Sequence, residues 1–292
     1  MTPRWTMPLA MGLAASGLTL LALTPPAEAA TMPGRGYASD LPQLPSPSGG
    51  DWTGSGFVIR ATGLSHADRE ALVMEFVRQG AVPPSLRQLR PVTLRQGTRT
   101  ATVWVMPDVF AVGTDEDRFR PALSAASAQR VMDAMGLMLP TEKIVRATYE
   151  QAEAKIPLRG LAAPRDTFAR HVESDQAIAA RIVTARAAPT AFLAGHSKDY
   201  VVGGPRRRNP NHIAIYGAWD AEGTRIQGSS GRAHDLGYRD YSHKPRGMAP
   251  VVEIDGVRRS VAEAMLDPQV SALIHDDDEG RVTDASQLRY PT

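Results

Sequence analysis

The chain has 292 residues, of which 42% are hydrophobic, 22% charged and 6% aromatic, a balance that excludes collagen-like, coiled-coil and wholly disordered classes. Lys and Arg number 33 against 31 Asp and Glu, and the net charge of +2 gives no global field for nucleic acid or an anionic membrane. With 0 cysteines there are no disulfides, no thiolate metal sites and no cysteine nucleophile.

Residues 1–29 read as a signal peptide. Arg4 supplies the charge, Met7 to Leu23 the apolar run, and Ala27-Glu28-Ala29 the small-x-small cleavage pattern. The apolar run is short for a membrane span and Pro25-Pro26 follows it at once, so the mature chain is expected to be exported, periplasmic or secreted, and free of the membrane. Residues 30–54, rich in Pro, Gly and Ser, read as a flexible linker, and residues 55–292 as a single globular domain. A domain of that length buries enough core to need no disulfides.

Phe57-Val58-Ile59 suggests a short strand. Ser65 then caps a helix striped with Leu72, Val73, Phe76 and Val77, which Gly80 ends. Pro91 to Met106 reads as a hairpin turning at Gln96-Gly97, and Asp108 to Gly113 as a further strand. Helices follow over about Ser124–Gly136, after Thr141, and over about Asp175–Ala185. Thereafter strands dominate: Ala191–Ala194 and Asp199–Val202 around a Gly195-His196-Ser197-Lys198 connection, a hairpin of His212–Tyr216 with Thr224–Gln227, and another turning at Asp255-Gly256. Ser260 caps a closing helix. The expected class is α+β, a single domain with N-terminal helices and a mixed or antiparallel sheet formed largely by the C-terminal half.

Residues 192–246 hold four of the seven histidines and carry nine cationic against five anionic side chains. Chemistry-bearing residues gathered between strands point to a site on loops. In Gly195-His196-Ser197-Lys198-Asp199, His196 is a candidate base, Asp199 its orienting carboxylate and Lys198 an anion-binding group. In Tyr238-Arg239-Asp240-Tyr241-Ser242-His243, strand alternation would put Arg239, Tyr241 and His243 on one face, a cation, a phenol and an imidazole together. Arg246, Tyr216 and Trp219 complete the expected substrate contacts. No cofactor motif is present, neither a Walker loop nor a Gly-x-Gly-x-x-Gly. Zinc on His196, Asp199 and His243 is the alternative, although no His-x-x-x-His or His-x-His spacing supports it. Asp276-Asp-Asp-Glu279 reads as a charged surface turn, lacking the alternation of a calcium loop.

Ser242-His243-Lys244-Pro245-Arg246, preceded by Ile215-Tyr216-Gly217, resembles the Ser-His-Gly-Cys-x-Arg and upstream His-x-Gly pattern of L,D-transpeptidases. Pro245 stands where that family has its nucleophilic cysteine and Tyr216 where it has the upstream histidine, so the activity does not carry over. The residues instead suggest an exported hydrolase of a polar or anionic polymer of the cell envelope or surroundings, with His196, Asp199, His243 and Tyr241 catalytic. The alternatives are a polysaccharide lyase built on Arg239, Tyr241 and His243, and a non-catalytic protein that binds a small polar ligand.

Overall fold

A computed structural model describes residues 41–228, 234–276 and 281–292, all within one compact unit spanning Arg35–Thr292. The signal peptide and the start of the linker lie outside the described residues, as does most of the acidic turn at 276–279. Among the described residues no helix is long and apolar enough to cross a membrane.

The chain opens not with a strand at Phe57 but with helix α1 (Gly54–Ala61), whose N-terminus is capped by the Thr53 side chain accepting from Gly56 N–H. Strand alternation would bury Phe57 and Ile59 together; in the helix Phe57 and Ala61 face the core and Ile59 is 74% exposed. The Phe57 ring stacks on Phe119 at 5.3 Å, so tertiary packing overrides the β-preference of the Val-Ile pair. The linker is docked from Leu41 onward: Leu41 is buried in the core, and Pro45 lies against Gly80, where a Cβ would stand 1.8 Å from the Pro45 carbonyl oxygen. Gly80, at φ 75°, ends helix α2 (His66–Arg78), whose N-cap is Ser65.

Strands β1 (Arg90–Gln96) and β2 (Arg99–Val105) form the expected hairpin. The apolar run after it contributes only the short strand β3 (Val112–Gly113), paired with β4 (Arg118–Phe119); residues 106–111 are a buried irregular segment. Helices α3 (Ala125–Ala134) and α4 (Glu142–Gln151) follow, capped by Ser124 and Thr141. Strand β5 (Ala154–Lys155) leads to the long helix α5 (Phe168–Thr184), which starts seven residues earlier than the apolar pattern alone suggests because Thr167 caps it.

In the second half, β6 (Leu193–Ala194) pairs parallel with β5, while β7 (Lys198–Tyr200), β8 (Ile215–Trp219) and β9 (Arg225–Gln227) make an antiparallel sheet, with helix α6 (Gly204–Arg208) in the β7–β8 connection. Strands β10 (Met248–Ile254) and β11 (Val257–Ser260) return beside the first hairpin, giving a four-stranded antiparallel sheet in the order β1-β2-β10-β11. Helices α7 (Val261–Leu266) and α8 (Ser271–Ile274) pack on it; a capping box between Ser260 and Glu263 starts α7. The class is mixed α+β, with the principal sheet drawing one hairpin from each end of the domain. Two large apolar clusters result, one among α1, α2 and α3, the other between that sheet and α4, α7 and α8.

A distant residue pins the β7–β8 sheet. The Tyr290 hydroxyl lies 2.9 Å from Val201 O, accepts from Ala214 N–H at 2.9 Å, and its ring carries the Arg206 guanidinium at 4.4 Å.

Candidate functional site

The interior of the domain buries charge. Asp108, the lone charged residue between Val103 and Gly113, accepts from Arg120 Nε at 2.9 Å, and the same guanidinium reaches Asp175 of α5 at 3.2 Å. His196 Nε2 stands 2.9 Å from the other Asp108 oxygen, and neither of its ring nitrogens makes a hydrogen bond of good geometry. The Arg120 charge, with Arg246 and the His196 ring beside it, holds Asp108 ionised, well below the usual carboxylate range, against the large cost of burying it. Burial in turn lowers His196, with Asp108 opposing, so the imidazole is neutral at pH 7.

Arg246 is fully enclosed and donates to Met106 O at 2.6 Å and Leu193 O at 2.8 Å, tying the 106–111 segment to β6. Lys244 donates to Arg120 O at 2.7 Å, and burial brings its amine down to about 8. Asp199 points into the same interior: burial pushes it up to about 7, and its Oδ1 has no hydrogen-bond partner. The carboxylate beside His196 is therefore Asp108 and not Asp199. The only sequence signal for it was a single acid in an otherwise apolar stretch.

The second histidine has a different setting. The stretch 238–243 is not an extended strand: it turns over 240–243, where Asp240 Oδ1 accepts both the Ser242 amide (2.8 Å) and its hydroxyl (2.5 Å). Such an Asx-type turn competes with strand pairing and overturns the expected alternation. It brings Asp240, Ser242 and His243 together, with Asp240 Oδ1 3.7 Å from His243 Nε2. A backbone bond from Lys198 N–H to Ser242 O (2.8 Å) seams this turn to β7 and sets Lys198 beside it.

The Tyr200 hydroxyl donates to Leu123 O at 2.6 Å, so toward His243 Nδ1, at 3.5 Å, it can only accept. That contact favours the tautomer with hydrogen on Nδ1 and leaves Nε2 with a lone pair and no hydrogen-bond partner. Burial lowers His243, opposed by Asp240 and reinforced by Lys198, so this ring too is neutral at pH 7. Over it sit His234 and Tyr238, stacked at 3.7 Å and both half-buried, with the Tyr238 ring 5.6 Å from the His243 ring.

The remaining expected site residues are scattered. The Tyr241 hydroxyl accepts from Leu161 N–H at 2.9 Å inside a small apolar cluster. Tyr216 is buried and its hydroxyl takes a hydrogen bond from Arg225; Trp219 stacks on Tyr149 at 3.9 Å. These three are packing residues, and Arg246 is a backbone clamp. Arg239 lies half-buried 3.6 Å from Glu70, beside a separate cleft. The Arg239, Tyr241 and His243 set that eliminative cleavage requires is thus divided among three places.

Among the described residues no three His, Asp or Glu side chains converge as a metal site. The neighbours of His196 include the Arg120 and Arg246 guanidiniums, which would repel a dication, and its carboxylate is already held by Arg120. His196, Asp199 and His243 do not come together as one donor set among the described residues.

No family model, no curated protein and no solved structure matches the chain.

Proposed function

We propose that the protein is an exported hydrolase of a polar or anionic polymer, with His243 as its general base. The observation that carries this reading is the His243 Nε2 atom: enclosed, holding a lone pair, without a hydrogen-bond partner, and 3.7 Å from a carboxylate. A buried acceptor of that kind favours an O–H donor such as the attacking water. In the reaction the water gives its proton to Nε2 while its oxygen joins the electrophilic carbon. Asp240 stabilises the imidazolium so formed, and the leaving group then takes that proton as its bond to carbon breaks. Lys198, half-buried and with its amine lowered from the usual value by burial, is placed to neutralise an anionic group or a developing negative charge. The N-terminal signal pattern supports export, where such polymers lie.

Substrate reaches His243 by displacing the His234–Tyr238 ring pair, which covers it without being buried itself. The test is turnover on anionic polysaccharides and cell-envelope polymers, followed as released reducing ends, amines or acids. Replacing His243 by Gln should lower the rate by about 10²–10⁴-fold while the circular dichroism spectrum is kept. Absence of turnover across the panel, or an H243Q protein as active as the parent, overturns the proposal.

A further inference from the structure

Helix α5 turns one face inward, through His171, Ser174, Asp175 and Ile178. Its outer face carries Ala169, Gln176, Ala179, Ala180 and Val183, all exposed, with the half-buried Val172 among them. No charged side chain stands in that stripe, although the solvated face of a helix is ordinarily charged. Val183 is 76% exposed, and Ile59, on helix α1 across a groove, 74%; these are the two most exposed large apolar side chains among the described residues. The groove, of about 340 Å³, has Val58 and Ile59 on one wall and Val172 and Gln176 on the other. Its charged members are engaged within the domain: Asp117 accepts from Ser55 N–H, Arg118 pairs with Asp115, and Asp175 with Arg120. What is left open is a contiguous apolar surface, the mark of an interaction site.

The stripe is symmetric about Gln176: Val172 and Ala180 stand four residues to either side, Ala169 and Val183 seven. An identical helix laid antiparallel, with its Gln176 opposite this one, therefore sets Val172 against Ala180 and Ala169 against Val183. A large side chain meets a small one at each of those levels, as close helix packing needs. Gln176 meets its own copy, and an amide, being donor and acceptor at once, can satisfy itself across the axis. Beyond the helix ends the same register brings the exposed Asp166 to the level of the second copy's Arg186, also exposed, so the charges are complementary at both ends. Within α5 no like charges fall at one level. Seventeen residues make α5 about 25 Å long, and with α1 the face is about two helix diameters wide. That is on the order of 500 Å² per copy, the size of a weak, reversible interface.

We infer that this face docks a second copy of the chain, giving a two-fold, reversible homodimer of antiparallel α5 helices centred on Gln176, with Ile59 of each copy at its flank. The inference does not rest on the hydrolase reading.

The test is sedimentation velocity of the protein expressed from its full-length sequence, over about 1–100 µM, the range a weak interface spans. The weight-average mass is expected to rise toward about twofold. Val183→Glu and Ala180→Glu, at positions exposed in the single chain, should each hold it at one copy with the circular dichroism spectrum kept. Because the chain has 0 cysteines, Gln176→Cys places its only thiol on the axis. It should be trapped as a disulfide dimer about tenfold faster than Val257→Cys, at an exposed position on β11. His243→Gln should associate like the parent, so that failure of the two proposals can be told apart. A single copy at every concentration, association that survives V183E, equal trapping of Q176C and V257C, or binding to phosphatidylglycerol vesicles in place of self-association overturns the assignment.

Discussion

His196 and His243 are both fully enclosed histidines, each with a carboxylate nearby, and their surroundings divide their roles. Around His196 the charges alternate and are held: Asp175, Arg120 and Asp108 form a ladder, and Arg246 closes it onto two backbone carbonyls. The ladder ties together residues as distant in the chain as Met106 and Arg246. Around His243 the accounting is incomplete. Nε2, like both ring nitrogens of His196, has no hydrogen-bond partner, but here the carboxylate stands off at 3.7 Å and the covering rings are half-exposed. Burial by itself does not distinguish a structural histidine from a chemical one; the distance of the neighbouring carboxylate and the cations already paired with it do.

The contrast breaks most sharply on stability. Asp108→Ala leaves Arg120 with one carboxylate and His196 with none, and breaking a buried ion pair from one side costs about 3–5 kcal/mol. Denaturant unfolding should show a loss of that size. A D108A protein as stable as the parent but inactive would move the chemistry to His196.

Asp240→Asn is the complementary change. The amide oxygen can keep the turn bonds to Ser242, while the charge facing His243 is lost. Turnover should fall by roughly 10²-fold with stability changed by less than about 1 kcal/mol, as read from rate and melting temperature on the same sample.

The pH dependence of stability follows from the same groups. His171, His196 and His243 are held neutral when folded, so the unfolded chain binds more protons as pH falls below 6.5. Their contribution is present above that value and is lost as pH falls toward 4 and 3. Asp199 works the other way: raised to about 7, it keeps a proton when folded that the unfolded chain has released above 3.8. Its contribution is full below 3.8 and is lost as pH rises through 7. Three histidines outweigh one aspartate between pH 4 and 6.5, so the melting temperature should climb across that interval. Asp199→Asn should steepen the climb and remove the decline toward pH 7; an unchanged profile would show that Asp199 ionises normally.

The smallest effect belongs to surface pairs such as Arg60–Glu75, at 2.6 Å with both side chains more than a third exposed. Glu75→Gln should cost less than about 1 kcal/mol, a baseline against which the buried ladder stands out in the same unfolding assay.

Local features were the legible ones. The caps at Ser65, Thr141 and Ser260, the stripe on α2 and the hairpins turning at Gly97 and Gly256 all follow from residues within a few positions of one another. The concentration of unusual residues after position 192 includes the two enclosed histidines, His196 and His243. What escaped depends on long-range partners or on side chains that rewrite the backbone. Phe57 is helical because Phe119 and Phe76 receive it. Asp240 turns a stretch that alternation would extend. Asp108, Arg120 and Asp175 meet His196 only in three dimensions.

The hold of Tyr290 on the β7–β8 sheet has a consequence in time. Its hydroxyl meets Val201 and Ala214 from 89 and 76 positions further along the chain. A chain made N-terminus first gains these bonds to the sheet that carries Lys198 only after residue 290 has been added. Contacts of such separation form late and slowly.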